Sequence, residues 1–67
     1  MKVKAEIMKK VQTSTEIRRE LARKLDVSEA SISRYIRENE ENGEFTKLVA
    51  IRVISDKLNI PESEILV

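Results

Sequence analysis

The chain has 67 residues, of which 40% are hydrophobic and 37% are charged. A chain of this length predicts one small domain over residues 1–67, which buries only about 60% of its unfolded surface. Glycine and proline occur once each, as Gly43 and Pro61, and cysteine and histidine are absent. This composition excludes disulfide frameworks, zinc fingers, Cys/His nucleophile systems and turn-rich all-β chains.

The net charge of +1 is the sum of two opposed blocks. Residues 1–37 contain ten bases and five acids, a balance of +5, whereas residues 38–67 contain three bases and seven acids, a balance of −4. Such an asymmetry indicates a nucleic-acid or membrane partner. The simpler interpretation, that two solvated surfaces differ in charge, stays open on composition alone.

The chain begins with the charged segment Met1–Lys4, which lacks the apolar stretch that a signal peptide needs. Its longest fully apolar run, Leu48–Ile51, is far shorter than the ~20 residues of a membrane span. We therefore expect a cytoplasmic protein without a membrane partner.

Apolar residues recur at helical intervals along most of the chain, which predicts an all-α domain. A first helix is expected over about residues 3–11, with one face formed by Val3, Ile7 and Val11. Thr13 and Glu16 then have the spacing of a capping box that opens a second helix, and Thr15 is a rival cap. The inward side of that helix consists of Ile17, Leu21, Ala22 and Leu25.

Asp26 interrupts the second helix, and aspartate tolerates left-handed geometry better than most residues. Ser28 is a good N-cap for a third helix. A polar loop over residues 38–44 leads to a fourth helix from about Thr46 to Leu58. The predicted inward residues are Ile32, Tyr35 and Ile36 in the third helix and Leu48, Ile51, Ile54 and Leu58 in the fourth.

The last residues are less regular. Pro61 suits the first turn of a short fifth helix from Glu62 to Leu66. The final segment Ile65–Val67 either ends that helix or forms a short strand. The pattern therefore predicts four or five helices in all.

The second and third helices, with the short link between them, have the features of a helix-turn-helix. Ala22 supplies the small residue that is needed where the two helices cross, and Asp26 suits the positive φ of the turn. The apolar residues that would lock the pair are Leu21, Leu25, Val27, Ile32 and Tyr35. A helix presented in this way can enter the major groove of DNA, whose width admits one helix.

At this point the stretch from Arg18 to Arg37 resembles the helix-turn-helix of phage repressors and Cro proteins. The likeness lies in Leu-Ala at 21–22, Val-Ser at 27–28 and the ending Ile-Ser-x-Tyr at 32–35. One departure is Asp26, where the family usually has glycine. The tail from Ser55 to Leu66 also resembles the family's closing segment. The resemblance implies a compact four- or five-helix lambda-repressor-like domain, and a Cro-like repressor that binds double-stranded DNA.

The resemblance also implies which residues contact DNA. It places Arg18 and Arg19 near backbone phosphates. It places Ser28, Glu29 and Ala30 at the start of the recognition helix, within reach of base edges, Ser33 and Arg34 one turn further on the same face, and Arg37 near the end of that helix. Arg34 is suited to guanine O6 and N7, Glu29 to the amino group of cytosine, and Ala30 to a thymine methyl. The alternative for Glu29 is a favourable charge at the start of its helix.

The basic residues of the first helix and its approach, Lys2, Lys4, Lys9 and Lys10, either approach phosphates or are simply solvated. Few phosphate contacts come from one domain, and the family dimerises on two half-sites about one turn apart. A homodimer through the C-terminal half is therefore expected, on a palindromic operator. The apolar material for it is Phe45, Val49, Val53, Ile65, Leu66 and Val67, unless these residues only complete the core.

A second hypothesis is a helical protein-interaction module, or an antitoxin-type protein that binds a protein partner. Loss of positive charge on the recognition helix would favour it, and Arg34 and Arg37 argue against it. An enzyme is not expected, because the chain has no paired nucleophile and base, glycine-rich phosphate loop or metal-ligand set. We accordingly expect no cofactor and no small-molecule substrate.

Overall fold

Four helices account for most of the chain in the computed structural model, which describes residues 1–67. They are α1 (Ala5–Thr13), α2 (Thr15–Leu25), α3 (Glu29–Glu38) and α4 (Leu48–Leu58), and short 3₁₀ turns cover Glu44–Thr46 and Glu62–Glu64. The predicted all-α fold is thus confirmed, with four helices rather than five. None of the helices has the length and apolar character needed to span a membrane.

The core forms around α2, which packs against α1, α3 and α4. Leu21 of α2, Ile32 of α3 and Ile54 of α4 are fully buried at its centre. Every fully buried side chain is apolar, and no buried side-chain polar atom lacks a hydrogen-bond partner. Burial of apolar surface therefore supplies most of the driving force that orients the helices.

The start of α2 differs from the predicted capping box. Thr13 is the last residue of α1 and donates its hydroxyl to the carbonyl of Lys10 at 3.1 Å. Ser14 is the cap, since it has the extended backbone that a cap needs and its Oγ accepts the amide of Ile17 at 3.3 Å. Glu16 does not reach back to a cap but pairs with another helix. The predicted box is wrong because α1 continues further than its apolar pattern indicates.

The first and last residues of the chain meet in a way that the helical pattern does not predict. Val3, expected in the first helix, forms an isolated antiparallel bridge with Leu66. The amide of Lys4 donates to the carbonyl of Ile65 at 2.9 Å, and the amide of Val67 to the carbonyl of Lys2 at 2.9 Å. The predicted fifth helix is reduced to one 3₁₀ turn, because Leu66 pairs with Val3 directly after that turn.

The fourth helix also sits differently from the prediction. It begins at Leu48, after the 3₁₀ turn, and Leu48 itself is 53% exposed rather than inward. Its fully buried residues are Ala50, Val53 and Ile54. Ile54 was predicted inward, but Val53 was assigned to a possible dimer contact. The helix is therefore rotated so that Val53 instead of Leu48 faces the core.

Candidate nucleic-acid interface

The turn between α2 and α3 has the predicted left-handed residue. Asp26 has φ 57° and ψ 48°, and its amide donates to the last carbonyls of α2. The amide of Val27 donates to the carbonyl of Ala22 at 3.0 Å. Because Ala22 is small and only 7% exposed, α3 can pack closely against this end of α2. The chain thus reverses from one helix to the next within three residues.

Ser28 begins the third helix as predicted. Its Oγ accepts the amide of Ser31 at 3.1 Å, and its hydroxyl lies 3.1 Å from the hydroxyl of Ser31. The extended backbone at Ser28, with φ −75° and ψ 160°, is the usual N-cap conformation. Ser28 remains exposed at the surface. Its first role is therefore to cap α3, and the residue stays accessible to solvent.

Two buried isoleucines determine which side of α3 faces outward. Ile32 is 0% exposed and Ile36 is 7% exposed, so the inner side of the helix is anchored in the core. Ala30, Arg34 and Arg37 lie on the opposite side, Ser33 lies beside them, and Glu29 is exposed in the first turn. We call these five exposed residues the recognition face: Glu29, Ala30, Ser33, Arg34 and Arg37. These side chains span about 12 Å along the helix at 1.5 Å per residue. The structure therefore brings five of the predicted contact residues onto one continuous surface.

Arg34 is held near the C-terminal end of this face. Its guanidinium lies 5.3 Å from the centroid of the Tyr35 ring, and its Nε lies 4.0 Å from Oε1 of Glu38. Tyr35 is half-buried and packs edge-to-face on Phe45, with ring centroids 6.0 Å apart. Tyr35 is thus part of the core boundary, as predicted, and its ring contacts the guanidinium of Arg34.

Beside Arg34 lies a cavity of about 510 Å³, between the end of α3 and residues 40–47. Its walls include both signs of charge, namely the acids Glu38, Glu40 and Glu44 and the bases Arg34 and Lys47. Lys47 is paired with Glu44 at 2.8 Å, and this partner raises the pKa of the Lys47 ammonium. Acidic residues therefore approach one end of the recognition face, and the acidic half does not simply face away from it.

A second surface runs between α1 and α3. Arg18 donates from Nη2 to the hydroxyl of Thr15 at 3.2 Å and from Nη1 to the carbonyl of Gln12, which ties α2 to the end of α1. Around it lies a cleft of about 160 Å³, which adjoins a cavity of about 540 Å³ further along α1. We call the two together the α1–α3 groove, lined by Ala5, Met8, Lys9, Gln12, Arg18, Ser33, Ile36, Arg37 and Asn39.

The groove brings together residues that are distant in sequence. Arg18, Ser33 and Arg37 were predicted from the motif, and Lys9 belongs to the basic set of the first helix. Gln12 was not identified, since it is uncharged and lies outside the motif. Its only signal in the sequence is its position three residues after Lys9, which places both side chains on one face of α1. That face becomes a candidate site only when α3 is known to pack beside it.

Ion pairs cross between the two charge blocks. Nζ of Lys57 in α4 lies 2.8 Å from Oε1 of Glu16 in α2, and this hydrogen bond, with the charge of Lys57, lowers the pKa of Glu16. Lys4 lies 3.6 Å from Glu64. The blocks of the sequence are therefore interleaved in space. No group of three or more Asp or Glu side chains is placed to hold a metal ion.

Among the four basic residues of the predicted site, Arg34 alone forms an ion pair, and Arg18 donates only to neutral oxygens. Arg19 and Arg37 are both exposed, and neither takes part in an ion pair. Arg19 lies in the first half of α2, where the resemblance implies phosphate contact, and Arg37 lies in the last turn of α3. Their charges are available to an external anion.

Compared with protein-family models, with curated proteins and with solved structures, the chain matches none of them.

Proposed function

We propose that this protein is a sequence-specific double-stranded DNA-binding transcriptional regulator, a Cro-like repressor, which inserts α3 into the major groove. The observation that carries the proposal is the recognition face itself. It is exposed over its whole length, it is backed by buried isoleucines, and a short capped turn presents it to the outside. The major groove is about 12 Å wide and accepts one helix in this way.

The chemistry of the face supports base recognition. Arg34 supplies paired donors of the kind that suit guanine, Glu29 is an acceptor for the amino group of cytosine, and Ala30 is a small apolar contact for a thymine methyl. The contact between Arg34 and Glu38 is long and exposed, so Arg34 is easily released toward a base. Arg19 supplies an unpaired charge for the DNA backbone.

A homodimer on a palindromic operator is part of the proposal. Phe45, Val53 and Ile65 are not available for it, because they are buried in the core of one chain. The apolar residues of α4 that remain exposed are Leu48, at 53%, and Val49, at 47%. The dimer contact that we propose is therefore the outer face of α4.

Two charged residues support a second copy of the chain as the occupant of that face. Arg52 and Asp56 follow Leu48 and Val49 at helical spacing, are exposed, and make no ion pair within the chain. A two-fold contact places the same patch of two subunits together. Opposite charges on one patch then let Arg52 of one copy approach Asp56 of the other.

Selection of binding sites from random duplex DNA tests the function directly. We expect enrichment of one sequence with two inverted half-sites about ten base pairs apart, as a dimer requires. Enrichment of a single half-site would support recognition of DNA without the dimer. Failure to enrich any sequence, together with binding that does not weaken with salt, would favour the protein-interaction or antitoxin-type alternative.

A further inference from the structure

The α1–α3 groove differs from the cavity beside Arg34 in the sign of its charge. Three of its lining residues, Lys9, Arg18 and Arg37, are basic, and none is acidic. By contrast, the cavity beside Arg34 is bordered by three glutamates. A concave surface lined by one sign of charge concentrates its electrostatic field, so this groove attracts anions.

The three basic residues of the groove have no carboxylate partner, which also favours binding of an anion. Lys9 and Arg37 make no ion pair within the chain. Arg18 donates only to neutral oxygens, the carbonyl of Gln12 and the hydroxyl of Thr15, so its charge is not cancelled. Cationic donors without a carboxylate partner bind the oxygens of a phosphate more strongly than neutral donors do.

The position of the groove identifies which phosphate reaches it. Ser33, Ile36 and Arg37 belong to α3, and they form one wall of the groove, while Lys9 and Gln12 of α1 form the other. When α3 lies in the major groove of DNA, the α1–α3 groove, which shares residues with α3, lies at the edge of the major groove. A DNA strand runs along that edge. Phosphates on B-DNA recur every 3.4 Å of axis on each strand, so a continuous backbone can follow a groove of this kind.

We propose that the α1–α3 groove holds the DNA backbone beside the half-site, with Lys9, Gln12, Arg18 and Arg37 as phosphate contacts. This inference rests on the proposed function and gives Arg37 a specific role. The resemblance places Arg37 near the end of the recognition helix without choosing between bases and backbone, and the groove assigns it to the backbone. Base recognition then depends on the earlier part of the face and on Arg34.

The test uses the full chain and the duplex found by site selection, with an unrelated duplex for comparison. Arg37→Gln and Lys9→Gln each remove one charge from the groove. Lys10→Gln is the matched control, because Lys10 adjoins Lys9 in α1 but does not line the groove. Affinity is measured from about 0.1 M to 1 M salt, and thermal melting checks that each variant folds.

Loss of one phosphate contact lowers the slope of log affinity against log salt by about 0.9. Each groove substitution removes one contact from each chain of a bound dimer, so the slope falls by about 1.8. We therefore expect each groove variant to bind both duplexes about sixtyfold more weakly at 0.1 M salt than the wild type, with the difference vanishing near 1 M. Lys10→Gln should keep the wild-type slope.

Three results would overturn the inference while leaving the proposed function intact. Loss of affinity in Arg37→Gln for the selected duplex alone would make Arg37 a base contact. An unchanged slope of log affinity against log salt in Lys9→Gln would show that the groove does not bind the backbone. An equally reduced slope in Lys10→Gln would show that the effect of charge is not specific to the groove. A wild-type chain that binds neither duplex would instead overturn the proposed function itself.

Discussion

The amide of Val27 donates a 3.0 Å hydrogen bond to the carbonyl oxygen of Ala22, across the left-handed residue Asp26. The same carbonyl also accepts the amide of Asp26, so two successive amides close the end of α2. The bond from Val27 also determines the direction in which the chain leaves α2, and hence where Ser28 can start α3. The presentation of the recognition face thus begins at one backbone contact.

Replacing Asp26 by glycine should stabilise the protein slightly. A left-handed backbone costs an L-residue about 1–2 kcal/mol, and glycine escapes this cost but loses about 0.4–1 kcal/mol through the unfolded state. The Asp26 side chain makes no hydrogen bond that the change would remove. We expect Tm to rise by a few degrees, measured by circular dichroism. Asp26→Val, β-branched at the same φ, should lower it, and a fall in Tm for the glycine variant would contradict the argument.

Arg34→Ala should weaken binding to the preferred duplex by ~1–3 kcal/mol and relax the preference at one base pair. The reason is the loss of a paired donor to one guanine, while the backbone contacts stay in place. Competition binding with a set of single-base variants of the site measures both effects. An equal loss on every sequence would show that Arg34 contributes charge alone.

Leu48→Asp should weaken self-association by at least tenfold with little effect on folding. Leu48 is 53% exposed in the single chain, so the change buries no charge unless a second copy covers α4. Sedimentation equilibrium measures the dimer constant, and Val67→Asp is the control, since Val67 is 70% exposed but lies outside α4. An unchanged dimer constant in Leu48→Asp would place the interface elsewhere.

Ile65→Val should cost about 0.5–1.5 kcal/mol of stability, as expected for removal of one buried methyl group. Ile65 is 0% exposed, whereas Val67, two residues later, is 70% exposed. Val67→Ala should therefore change the free energy of unfolding by less than about 0.5 kcal/mol. Urea unfolding compares the two variants, and equal effects would mean that the end of the chain does not pack as described.

Glu16→Gln should lower stability at neutral pH and have no effect in acid. Lys57 lowers the pKa of Glu16 from 4.5, so folding favours the ionised carboxylate. That contribution is complete above pH 4.5 and is lost as the pH falls through the lowered pKa of the folded state. Urea unfolding from neutral to acidic pH follows the difference between wild type and variant. Lys57→Gln should show the same pattern, and a difference that persists in strong acid would have another cause.

The features that local sequence predicts correctly are those that depend on a few neighbouring residues. Ser28 caps α3 because a serine oxygen reaches an amide three residues on, and Asp26 adopts a left-handed backbone next to the last turn of α2. Both predictions are confirmed. The prediction at Thr13 failed although it used the same kind of signal. Ser14 and Thr15 follow Thr13, and all three have a hydroxyl that can cap a helix. The residue at which α1 ends determines which of them is the N-cap of α2.

Residues at the end of the chain were harder to assign. Phe45, Val53 and Ile65 are buried and Leu48 is exposed, yet all four are apolar. Where a small domain has more apolar residues than its core can hold, the sequence alone does not show which of them are buried. The rotation of α4 against α2 makes the distinction, because it buries Val53 and Ile54 and exposes Leu48.

By itself, the sequence determined the helical fold, the turn at Asp26 and the set of residues on the outer side of α3, because periodicity and capping act over a few residues. Only the tertiary structure decided that Val3 pairs with Leu66, and that α1 lies beside α3 to form a basic groove. Those contacts join segments far apart in the chain. They depend on how buried faces pack against one another, which no local pattern of residues records.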